Sequence, residues 1–108
     1  MGYVYLILQT DSNYLESFKI GITKNQPEIR VKQLQTGNPN KISLLKSYKS
    51  DNYLKIERWL HRKHGMTKTE ASNEWRYLTN ESIDRFITDC EEADDTFNFL
   101  FENNSLFE

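Results

Sequence analysis

Residues 18–25 read FKIGITKN. The run has the composition of a β-strand, yet it holds a cation, Lys19, and a glycine, Gly21, in its interior. Glycine weakens a strand and usually marks a bulge or a place where something comes close to the backbone. An arginine, Arg30, follows soon after. What pairs with this strand, and what approaches Gly21, decides how the chain folds.

Upstream, residues 2–10 (GYVYLILQT) are aromatic or aliphatic at most positions and read as a strand buried largely on both faces. The polar stretch 11–17 is a turn, so the two strands pair as a hairpin. Downstream, residues 25–37 (NQPEIRVKQLQTG) read as a helix, with Asn25 as N-cap, Pro27 in the first turn, Glu28 at the positive end and Gly37 as the stop. Ile29, Val31 and Leu34 form its buried side. Residues 41–49 give a third strand, with Ile42, Leu44 and Lys46 on one face and Ser43, Leu45 and Ser47 on the other. Residues 50–65 give a second helix, capped by Asp51 and ended by Gly65. Tyr53, Ile56 and Leu60 are its core stripe, and Glu57 and His61, four apart, share a face. After a loop at 66–72, NEWRYL at 73–78 reads as a short edge strand. Residues 80–94 read as a third helix, with Ile83, Phe86, Ile87 and Cys90 inward. The acidic, aromatic tail 95–108 has apolar clusters without clear periodicity; docking on the domain, meeting a partner and fraying all fit it. The fold class is α/β, an α+β sandwich whose central three-stranded antiparallel sheet is flanked by helices.

A length of 108 residues fits one domain, here 1–94 with its tail. Hydrophobic and charged contents of 37% and 28% exclude a disordered or membrane-embedded chain. The N-terminal residues lack the basic and small-residue features of a signal peptide. The single cysteine, Cys90, has no partner for an internal disulfide, which favours a reducing, cytoplasmic setting. The net charge of −2 hides a partition. Residues 19–64 hold eleven Lys/Arg and three acids, a formal +8, and the rest carries −10. Such asymmetry points to a half that faces a polyanion; the plain alternative is a mixed, solvated surface.

Six short motifs follow one another: YVY at 3–5, KIGIT at 19–23, RVKQL at 30–34, GNP at 37–39, ERWLH at 57–61 and NEW at 73–75. Together they resemble the GIY-YIG nuclease superfamily. The likeness is closest to its phage-associated branch, described as a DNA-binding or meiotically up-regulated-type domain. It spans residues 2–78. Tyr5 falls on the tyrosine of the family's first motif and Gly21 on the glycine of its second. Lys19 stands where better-known members carry a second tyrosine. Arg30 falls on the helix arginine, Glu57 on the glutamate that holds the divalent metal, and His61 on a histidine typical of the branch. The late-strand asparagine of many members has only Asn73 or Glu74 nearby.

The resemblance implies a metal-dependent endonuclease that hydrolyses phosphodiester bonds in DNA with one Mg²⁺ or Mn²⁺ ion on Glu57. A single carboxylate suits a hard cation that keeps most of its waters. Tyr5 would be the base, with Tyr3 on the same strand face. A phenol ionises near pH 10, so a nearby cation such as Lys19 would have to favour the phenolate, unless Lys19 contacts a phosphate instead. Arg30 would bind phosphate oxygens through two donors, and His61 would donate a proton or support the carboxylate. Gly21 would clear space for DNA or for the helix of Arg30. The nucleic-acid surface would comprise Lys19, Lys24, Arg30, Lys32, Arg58 and Arg62. Two other classes compete. One is a non-catalytic nucleic-acid-binding module on the same fold, and the other a protein-interaction role for residues 95–108, including folding over the basic face as a DNA mimic. The bland readings are packing for the tyrosines, Trp59 and Trp75, and surface ion pairs for Glu57 and Arg30.

Overall fold

Strand β1 (Gly2–Thr10) is the hub of the fold because neither of its faces is polar; Val4, Tyr5, Leu6 and Ile7 are each 2% exposed or less. The structure is a computed structural model and describes residues 1–65 and 75–105, with side chains as far as 102 in the last helix. The loop expected at 66–72, and Asn73 and Glu74, lie outside the described residues. β2 (Glu16–Thr23) returns antiparallel to β1, with Tyr5 opposite Gly21 and Ile7 opposite Lys19. β3 (Lys41–Ser50) lies on the other side of β1, so the order is β2-β1-β3, all antiparallel. The hairpin turn is closed by Asp11, whose carboxylate accepts from the amides of Asn13 at 2.8 Å and Leu15 at 3.0 Å.

Because cross-strand partners project to the same side, the register sorts the chain into two layers. Tyr5, Ile7 and Ile42 face helix α1 (Pro27–Gln35) and pack with Val31, Leu34, Leu44 and Trp75. Val4, Leu6, Phe18 and Ile20 face the opposite way. They pack against Tyr53, Ile56 and Leu60 of α2 (Tyr53–Lys63) and Phe86, Cys90 and Ala93 of the last helix. Between the two lies the short α3 (Asn80–Asp84), whose N-cap Thr79 accepts from the Ser82 amide at 3.1 Å. The last helix, α4 (Phe86–Ser105), takes in most of the segment read as a tail. Cys90 is fully buried in this second layer; burial, with Asp89 beside it, pushes its thiol up to about 12. No helix among the described residues is long and apolar enough to cross a membrane.

Four expectations are corrected. Ile29 is 48% exposed, because the stripe that meets the sheet is Pro27, Val31 and Leu34, and position 29 projects to the far side of the helix. The N-cap of α1 is Gln26 rather than Asn25, since Pro27 itself occupies the first helical position. The N-cap of α2 is Asn52, while Asp51 lies 3.6 Å from the N-terminal amine. Finally, Ile42, Leu44 and Lys46 do not share a face. Ile7 pairs with Leu44 but its neighbour Leu6 pairs with Lys46, so Leu45 is an extra, bulged residue that inverts the alternation. Of the edge strand expected at 73–78, the described residues 75–78 form one antiparallel bridge, between Phe18 and Arg76, with two backbone hydrogen bonds of 2.7 Å.

The bulge has structural consequences. It sends Lys46 to the second layer, where its ammonium donates to the Ile83 carbonyl at 2.7 Å near the negative end of α3. It also brings Tyr48 and Ser50 to Asp94 of α4. That carboxylate accepts from Tyr48 Oη at 2.8 Å, Ser50 Oγ at 2.7 Å and Asn52 Nδ2 at 2.7 Å. Burial alone would raise the pKa of Asp94, but the three hydrogen bonds outweigh it and hold the group below the usual carboxylate value. A carboxylate with a depressed folded pKa contributes stability above its unfolded pKa and loses it as pH falls through the folded one. Asp94→Asn is therefore expected to cost about 2 kcal/mol at neutral pH. It should also flatten the acid limb of the melting-temperature profile below the ordinary carboxylate range, both read by calorimetry across pH.

Candidate active site

The site is assembled around residues 20 and 21 of β2. Tyr5 is 2% exposed, and its ring leans from the central strand across Gly21. A Cβ at position 21 would fall inside the phenol, at its Oη and Cζ atoms. Gly21 is thus the glycine of close approach, and the group that approaches is Tyr5. The sequence had offered DNA or the helix of Arg30 in that place. Lys19 stands opposite Ile7, two residues before Gly21, and projects to the same layer as Tyr5.

From the other layer, α2 reaches the outer edge of β2. His61 Nε2 lies 2.8 Å from the carbonyl oxygen of Ile20. A carbonyl only accepts, so Nε2 carries the hydrogen and Nδ1 is the nitrogen left to face elsewhere. It faces Glu57, whose Oε1 lies 4.0 Å away one helical turn back. The side chains of Glu57 and His61 are 14% and 23% exposed, so both are largely sheltered with a small part open to solvent. α2 is held in place at its far end by Lys63, which meets the buried Asp89 of α4 at 2.9 Å. The second oxygen of Asp89 has an ion-pair contact with Arg85 at 3.5 Å but no hydrogen bond of good geometry among the described residues.

The remaining expected residues are more dispersed. Tyr3 shares the layer of Tyr5 but turns toward β3, with Lys49 Nζ 5.8 Å from its ring centre. Arg30, half-buried on α1, shares the same layer and donates from Nη1 to Gln33 Oε1 at 3.4 Å. Glu28, the ion-pair partner considered for it, is exposed. Lys24, Lys32, Arg58 and Arg62 are all exposed, but Lys32 lies on α1 and the two arginines on α2, which cover opposite faces of the sheet. They do not form one flat patch, and a single polyanion touching both sets has to pass around an edge of the sheet. Trp75 packs against Tyr5 and Ile7, and Trp59 is half-buried under Lys63, whose Nζ lies 5.2 Å from its ring. Ile20 is the part of the site that sequence reading missed. Its contribution is a backbone carbonyl at a sheet edge, which no side-chain pattern announces.

Among the described residues, no group of three or more His, Cys, Asp or Glu is placed to hold a metal. Around Glu57 the described residues therefore offer one carboxylate, with His61 beside it, and not the closed donor set of a structural zinc site.

The T5orf172 domain family matches residues 2–91, most of the chain. The protein belongs to that family. T5orf172 domains are nuclease-like and DNA-associated. The match runs past residue 78, where the motif likeness stops, and takes in α3 and the start of α4. The structure gives the reason: Phe86 and Cys90 are buried core of the same layer as α2, so a T5orf172 domain without them would expose that layer. No curated protein and no solved structure matches the chain.

The close fit of Tyr5 over Gly21 has a measurable consequence. Gly21→Ala is expected to destabilise the domain by about 2 kcal/mol, the usual scale for forcing a methyl into a packed site. In a Tyr5→Ala background the same change should cost only a few tenths of that, so a double-mutant cycle by denaturant unfolding reads the contact directly.

Proposed function

We propose that this T5orf172 domain is a metal-dependent endonuclease of GIY-YIG type that hydrolyses phosphodiester bonds in DNA. The observation that carries the reading is the meeting of two layers at adjacent residues of one edge strand. The phenol of Tyr5 lies over Gly21 on one face of the strand, and the Glu57–His61 pair is hung on the carbonyl of Ile20 from the other. The family's nuclease-like, DNA-associated character supports it.

In this reading Tyr5 takes the proton from the attacking water, and Lys19 on the same layer favours the phenolate. Glu57 is the carboxylate that holds one Mg²⁺ or Mn²⁺; when bound, that ion neutralises charge developing on the phosphate. Arg30 binds non-bridging oxygens and orients the phosphate. His61 is a positioning residue rather than a proton donor, because Nε2 is committed to Ile20 and Nδ1 faces Glu57. The exposed Lys24, Lys32, Arg58 and Arg62 supply salt-sensitive affinity without sequence specificity.

Two observations favour the second reading, a binding module without catalysis. Tyr5 is almost wholly buried, and Lys19 replaces the second-motif tyrosine. A single assay separates the two: nicking of supercoiled DNA with and without Mg²⁺ or Mn²⁺, alongside DNA binding by anisotropy. Endonuclease function predicts metal-dependent nicking that falls at least about 100-fold in Glu57→Ala, with affinity changed only a few-fold. No nicking by the parent, with binding that survives Glu57→Ala, would select the binding module.

A further inference from the structure

Among the described residues, one end of the sheet is left open on the α1 side. Cross-strand partners project together, so Tyr3 forms a row with Thr23 of β2 and Lys49 of β3, and Tyr5 forms the next row with Gly21 and Ser47. The buried cluster under α1 begins at Tyr5 and includes no residue of the Tyr3 row. Helix length gives the reason. Gln35, in the last turn of α1, accepts through Oε1 from the Ile42 amide at 2.8 Å, which pins that end of the helix over the start of β3. Nine helical residues reach about 13 Å back along the sheet. From Ile42 to Lys49 the strand covers roughly 20 Å. α1 therefore stops short of the Tyr3 row.

The open row is polar, and its groups can donate. Lys49 and Ser47 are exposed, and Tyr3 and Thr23 are half-buried. The Lys49 ammonium stands 5.8 Å from the ring centre of Tyr3. Thr23 Oγ1 accepts from the Asn25 amide at 3.2 Å, which leaves its own hydroxyl hydrogen to give. The charged strand residues on this face, Lys19 and Lys49, are both cations. α1 adds Arg30 and Lys32 against one acid, Glu28, and Lys24 directly follows Thr23. Asp51, just past β3, lies 3.6 Å from the N-terminal amine. The helices of the opposite layer, α2, α3 and α4, together hold four Lys or Arg and nine Asp or Glu.

We propose that the Tyr3 row is a phosphate seat for the DNA backbone, with Lys49 as its cation and the hydroxyls of Thr23 and Ser47 as donors. Charge and position choose the occupant. The row lies on the cation-rich layer of a chain whose net charge is −2, and it adjoins the row where Tyr5 lies over Gly21. An ammonium with hydroxyls around it is the donor set that takes phosphate oxygens, and such contacts fix the register of a strand without reading its sequence. A phosphate held there leaves its neighbour along the strand beside Tyr5. The seat rests on the DNA-binding part of the proposed function and is independent of the catalytic part.

The test is binding of a short DNA duplex by the full chain without divalent metal, read by fluorescence anisotropy from about 50 to 200 mM salt. Lys49→Gln should lower the slope of log Kd against log salt by about one, the share of one phosphate contact, and do so on every sequence alike. Lys49→Arg should restore it. Ser47→Lys, a second cation in the open end, should steepen the slope by about as much. Lys55→Gln, exposed on α2 in the other layer, should leave it unchanged. All three positions are exposed, so the melts should match the parent's. An unchanged slope in Lys49→Gln would overturn the seat while DNA binding stands. Equal losses in Lys49→Gln and Lys55→Gln would mean that net charge alone is read, which also overturns it. A parent that binds no DNA overturns the seat together with the proposed function. The Lys49 effect without metal-dependent nicking by the parent would uphold the seat and reject only the endonuclease.

Discussion

The fit of the Tyr5 ring over the bare backbone of Gly21 is the contact on which the candidate site depends. Tyr5 is buried in the α1 layer, and the missing side chain at Gly21 leaves room for its ring over the edge strand. From the opposite face the same strand carries His61 on the carbonyl of the preceding residue, Ile20, with Glu57 4.0 Å from His61. One edge strand, through a glycine and a carbonyl, thus anchors side chains of both layers at adjacent residues.

The second layer is in turn held together and fastened to the sheet by polar contacts. Lys63 with Asp89 ties the end of α2 to the start of α4. Asp94 ties the other end of the pair to β3 through Tyr48 and Ser50. Both acids lie in the part of the chain whose negative charge had looked like a separate acidic remainder. They instead anchor the helix that carries Glu57. α4 lies on the layer opposite Tyr5 and Lys19. Its acids therefore support the site from behind.

Much of the fold was legible because it rests on local signals. The three strands, the hairpin, Pro27 and the left-handed glycines at 37 and 65 each follow from a residue's own preference or from simple alternation. What escaped depends on pairing between distant segments. Nothing at Leu45 announces a bulge; it exists because Ile7 and Leu6 pair with Leu44 and Lys46 on either side of it. Ile29 looks as apolar as Val31, and only the angle at which α1 meets the sheet excludes it from the core. Residues 95–105 showed no clear period because Phe97 packs in the second core layer while Phe99, Leu100 and Phe101 beyond it are exposed. The site was legible as a set of residue types in order. Their geometry was not, because the group that fills the space at Gly21 and the carbonyl that holds His61 become visible only once the strands are paired.

The proposed function makes a spatial claim: the carboxylate of Glu57 on α2 would hold a divalent ion beside residues 20 and 21 of β2, where Tyr5 lies over Gly21. Paramagnetic broadening of amide resonances by Mn²⁺, added alone to the isotope-labelled protein, tests it most directly. The account predicts broadening centred on Ile20, Gly21, Glu57 and His61, reaching Tyr5 and absent in Glu57→Ala. Broadening centred instead on the acidic stretch of α4, from Asp89 to Asp95, and unaffected by Glu57→Ala, would contradict it.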